Sequence, residues 1–79
     1  MKVHEFYADF FDYLLDRIAP EDILAYNIPN SAKKRAEELL IFINTGNITA
    51  EERDELRHIR EFDLLLAELK AKALARIDS

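Results

Sequence analysis

An all-α fold, a small helical bundle, is what this sequence predicts, and three observations predict it. Apolar residues recur at helical spacing along most of the chain. Glycine occurs once and proline twice in 79 residues, so helix breakers are scarce, while 34% charged and 49% apolar residues are a helical balance. The breakers Pro20, Pro29 and Gly46 fall between the periodic stretches, where they can end or start helices. The expected architecture is a single domain, 1–79, built on an antiparallel helix hairpin with one long C-terminal helix. A chain this short buries only about 60% of its unfolded surface, so its core is marginal without a supplement.

Residues 2–18 read as the first helix. Val3, Tyr7, Phe10, Leu14 and Ile18 form its expected core stripe, widened by Phe6, Phe11 and Leu15. Glu5, Asp9, Asp12 and Asp16 lie opposite, at steps of four, three and four. Such an acidic stripe is a solvated face or, through Asp9, Asp12 and Asp16, a docking surface for a basic partner. A short second helix, 20–26, opens on Pro20, whose missing N–H is no loss at a first helical position. Pro29 disfavours helix at Ile28 and separates it from the third, 31–45, which Asn30 or Ser31 can cap. Ala36, Leu39, Leu40 and Ile43 are its expected core stripe; Ile41 and Phe42 fall off it.

Gly46 suits the position just past a helix end. The connection to Thr49 is short, so the third and fourth helices should be antiparallel neighbours. The fourth, 50–77, opens on Thr49-Ala50-Glu51-Glu52, a capping box in which each side chain can satisfy the other residue's backbone N–H. At about 1.5 Å per residue it is about 42 Å long. Leu56, Ile59, Phe62, Leu66, Leu69, Ala73 and Ile77 form a core stripe, and Leu64, Ala67, Ala71 and Leu74 a second one. A helix apolar on several sides expects burial on several sides. Ile41, Phe42, Leu64, Leu65, Ala67, Ala71 and Leu74 exceed what one chain can hide and are the expected interface of a homodimer.

The net charge of −5 argues against general nucleic-acid binding, and residues 1–30 hold most of it, with six acids against two bases. The absence of cysteine excludes disulfides and thiolate metal sites. No apolar run approaches a membrane span, and Glu5, Asp9, Asp12 and Asp16 break up any signal-peptide-like stretch, so a soluble cytoplasmic protein is expected. No cofactor and no enzymatic activity are expected. Glu55 and His58 form a Glu-x-x-His pair, able on a helix to bind one metal together, as in ferritin-like sites; His4 beside Glu5 or Asp9 is a weaker pair. Arg53, Arg57 and Arg60 fall at steps of four and three, a stripe that could contact phosphates or lie among helix salt bridges.

From Pro20-Glu21-Asp22-Ile23-Leu24, through Ser31, Arg35, Glu38, Leu39 and Leu40, to Gly46-Asn47-Ile48-Thr49-Ala50-Glu51-Glu52, Glu55-Leu56, Leu64-Leu65 and Leu69-Lys70-Ala71, the chain resembles a family of small bacterial proteins of uncharacterised function, frequent in cyanobacteria. The resemblance covers about residues 20–75. It implies an antitoxin-like or adaptor-like partner protein and carries over no catalytic residues. The function expected is a non-enzymatic protein–protein interaction module. The alternatives are an antitoxin-like nucleic-acid-associated regulator using the three arginines, and a ferritin-like metal protein using Glu55 and His58.

Overall fold

The computed structural model describes the backbone of residues 3–78 and the side chains of residues 6–78. Four α-helices follow one another, α1 (Val3–Leu15), α2 (Pro20–Ala25), α3 (Asn30–Thr45) and α4 (Ala50–Asp78), with no strand among the described residues. The fold is all-α.

The helix ends have local causes. α1 stops at Leu15, short of the expected residue 18. Pro20 keeps Ala19 extended (φ −59°, ψ 133°), so a helix cannot run through to it. The chain tightens instead, the Arg17 N–H reaching the Leu14 carbonyl at 3.0 Å. The Arg17 guanidinium stands 3.6 Å from the centre of the Tyr13 ring and donates to the Tyr13 carbonyl at 3.0 Å. A cation thus covers the negative end of the helix. α2 opens on Pro20 itself.

Neither Asn30 nor Ser31 caps α3. Asn30 is already inside the helix, and the flanking position is held by Pro29 (φ −57°, ψ 145°), which has no side-chain acceptor. The Pro29 carbonyl receives the N–H groups of Ala32 and Lys33 at 3.0 and 3.2 Å. The other end of α3 is closed by Gly46 at φ 75°. The Gly46 N–H donates to the Ile43 carbonyl at 3.1 Å and the Asn47 N–H to the Phe42 carbonyl at 2.9 Å, a Schellman pair. A Cβ at Gly46 would meet nothing within 4 Å, so the demand for glycine there is conformational. α4 begins with the reciprocal cap: Glu52 N–H to Thr49 Oγ1 at 3.1 Å, and Thr49 N–H to Glu52 Oε1 at 3.0 Å.

The chain gathers into two compact units, one of the residues up to Tyr26 with those from Leu66 on, the other of residues 27–65. In the first unit Leu15, Ile23 and Ala73 form a buried cluster against which Leu24 and Leu69 pack, and Phe11 is buried as well. The inward line of α1 is therefore Phe11–Leu15, with Ala8 half-buried before them. Of the described residues of the expected stripe, Tyr7, Phe10 and Ile18 are exposed and Leu14 is half-buried. Asp12 and Asp16, next in sequence to Phe11 and Leu15, reach Lys72 at 3.2 Å and Arg76 at 2.8 Å on α4. The Phe11 ring lies 6.4 Å from Tyr7 and 6.3 Å from Phe10.

In the second unit Leu39 is fully enclosed and Leu56 is buried. α3 is also turned from its expected stripe. Ala32, Arg35, Ala36 and Phe42 are half-buried around Leu39, while Leu40 and Ile43 are exposed. The inward line runs 35, 39, 42, so a charged residue shares the face with the core, and apolar residues alone mislocate it. On α4, Phe62 and Ile77 of the expected core stripe are exposed.

Candidate interaction surface

The surface builds from the apolar residues that the helices leave outside. Leu64, Ala67, Ala71 and Leu74 recur on α4 at steps of three, four and three, one face of the helix, and all four are exposed. Leu64 is 67% exposed and Leu74 50%. Leu65, beside this row, is half-buried. On α3, Ile41 is 58% exposed, and Phe42 is half-buried on the inward side. Five of the seven residues expected at an interface thus lie open, and the two half-buried ones belong in part to the chain's own packing.

α1 carries a second outward apolar row that the sequence pattern merges with its core. Phe6, Phe10 and Tyr13, at steps of four and three, are all exposed, on the side of the helix away from Phe11 and Leu15. Eight apolar residues spread round one short helix give periodicity no unique face to choose. The acidic stripe borders this row. Asp12 and Asp16 are engaged by Lys72 and Arg76, while Asp9 is exposed and makes no ion pair among the described residues. The pair of His4 with Glu5 lies outside the described side chains.

Glu55 is held by another group. Arg35 donates through Nε to Glu55 Oε2 at 2.6 Å and through Nη2 to Oε1 at 3.0 Å, a two-pronged contact, with Glu38 at 3.2 Å and Glu52 at 3.7 Å. Hydrogen bonding to Glu55 raises the Arg35 pKa above its ordinary value, and the same bond lowers that of Glu55 below 4.5. Because the folded pKa of Glu55 is depressed, its stabilising contribution is complete above the unfolded value and is lost as pH falls through the folded one. Arg35 has no acidic partner in its own helical pattern except Glu38; Glu55 lies 20 residues on, which is why spacing does not reveal it. His58 is exposed, and among the described residues no group of three His, Cys, Asp or Glu is placed to hold a metal ion. Of the arginine stripe, Arg57 contacts Asp54 at 2.8 Å and Glu61 at 3.9 Å, and Arg53 and Arg60 are exposed.

Among the described residues no helix is long and apolar enough to cross a membrane. In comparisons with known proteins, no family model, no curated protein and no solved structure matches the chain.

Proposed function

We propose that the chain is a non-enzymatic, cytoplasmic protein–protein interaction module, a homodimeric helical adaptor or regulator that needs no cofactor. Its frame is a small bundle built on an antiparallel hairpin of α3 and α4. The observation that carries the reading is the exposed row Leu64, Ala67, Ala71 and Leu74. Burying a leucine side chain is worth about 1.5–3 kcal/mol, so leaving this row in water is a large loss for a chain of 79 residues. Monomers seldom present such contiguous apolar surface without a use for it. A two-fold dimer is the commonest way to close it.

Sedimentation at tens of micromolar tests the proposal. A mass of two chains is expected, with a folding midpoint that rises with protein concentration. Leu74→Glu should shift the mass toward one chain without unfolding it, since Leu74 is half in solvent. A mass of one chain, 9.2 kDa, in the unaltered protein would remove the homodimer.

A further inference from the structure

We infer that the exposed row of α4 is covered by the same row of a second copy, antiparallel to it, about a two-fold axis between Ala67 and Ala71. The inference rests on the homodimer proposed above and adds the direction and register of the contact.

Periodicity within one continuous helix sets Arg60, Leu64, Ala67, Ala71, Leu74 and Asp78 on a single line, at steps of four, three, four, three and four. All six are exposed. The spacing reads the same from either end, and so do the four apolar residues, Leu-Ala-Ala-Leu. Only the charges distinguish the ends. Antiparallel pairing places Leu64 on Leu74 of the second copy and Ala67 on its Ala71. It also places Arg60 on Asp78, a contact that symmetry makes twice.

Parallel pairing in register does the reverse. It sets Arg60 on Arg60 and Asp78 on Asp78, and it stacks Arg53 and Arg57, which continue the line, on their own copies. Like charges set against each other across an interface are strongly disfavoured. The end charges are also available. Arg60 and Asp78 make no ion pair among the described residues, whereas Arg57, Lys72 and Arg76 of the same helix are engaged within the chain. The alanines nearest the axis let the helices approach closely, since interaxial distance follows the side chains at the contact. Glu68 and Lys70 flank the axis, each facing its own copy, with stems able to turn the charge to water. The parallel arrangement would instead oppose Asp63 and Glu68.

Cysteine placement reads the register, because the chain has none of its own. Leu64→Cys and Leu74→Cys are prepared separately in the full chain, mixed and oxidised. Both positions are at least half exposed, so the core is spared. The mixture should form a disulfide between the two variants. Leu64→Cys alone should not link, because antiparallel copies hold these positions about 15 Å apart along the axis, beyond disulfide reach. Linking of Leu64→Cys to itself, or no mixed link in protein that sediments as a dimer, overturns the register and leaves the homodimer standing. A mass of one chain overturns both. In a second arm, Arg60→Asp should weaken the dimer about tenfold at low salt, and adding Asp78→Arg should restore it. A double variant as weak as the single one overturns the pairing of the end charges.

Discussion

The two units of the molecule solve the same problem, holding a few helical turns together with a small core, by different means. Residues 27–65 enclose only two residues well, Leu39 and Leu56, and surround them with polar geometry: a Schellman closure at Gly46, a reciprocal cap at Thr49, and the two-pronged contact of Arg35 with Glu55. The unit formed by the two ends of the described chain buries four, Phe11, Leu15, Ile23 and Ala73, and its inter-helix ion pairs are exposed. The contrast teaches where each unit is vulnerable. One depends on single apolar contacts and on exact local hydrogen bonding. The other spreads its burial over more side chains, and its charges steer the packing more than they hold it.

The largest effect should come from Leu39→Ala. Leu39 has no exposed surface, and truncating such a leucine costs about 2–5 kcal/mol. Urea denaturation measures it, and a loss under 1 kcal/mol would mean that the second unit does not rest on this contact. Next comes Ala73→Leu in the first unit, where a larger side chain at a fully enclosed alanine should cost about 1–3 kcal/mol by overpacking. No cost would show that this cluster is looser than its burial implies. Thr49→Ala should remove about 1 kcal/mol, the usual worth of a capping side chain. An unchanged midpoint would make the cap incidental to α4. The smallest effect belongs to Asp12→Asn with Asp16→Asn, below about 1 kcal/mol and fading with added salt, as for exposed pairs generally. A salt-independent loss above that would place those carboxylates among the structural supports of the first unit.

What the sequence reveals depends on how far apart the partners lie, in either unit. Gly46 and the Thr49–Glu52 box are local signals, complete within a few residues, and the hydrogen bonds lie where the residue types imply. The surplus apolar row of α4 was also legible, because helical periodicity alone sets Leu64, Ala67, Ala71 and Leu74 on one face. The inward face of α1 was not. Its apolar residues span too much of the circumference, and the residues that meet its inward side, among them the cations beside Asp12 and Asp16, lie 60 residues away. The inward face of α3 failed for a related reason. Arg35 occupies a position that hydrophobicity assigns to solvent, and the carboxylates that hold it there, Glu55 foremost with Glu52 beside it, lie on another helix.

The order of the chain within the units has a consequence in time. The Arg35–Glu55 contact closes 20 residues, whereas Asp12–Lys72 and Asp16–Arg76 each close 60. Tripling a flexible loop adds only about 1 kcal/mol of closure entropy, but a folding chain must meet that cost before the distant contacts repay it. The contiguous unit is therefore expected to assemble first and to offer a formed start of α4 from which the helix extends. The ends then close on its far half. Stopped-flow kinetics should find Leu39→Ala slowing refolding and Leu15→Ala chiefly hastening unfolding; the opposite pattern would place the nucleus around Leu15, Ile23 and Ala73.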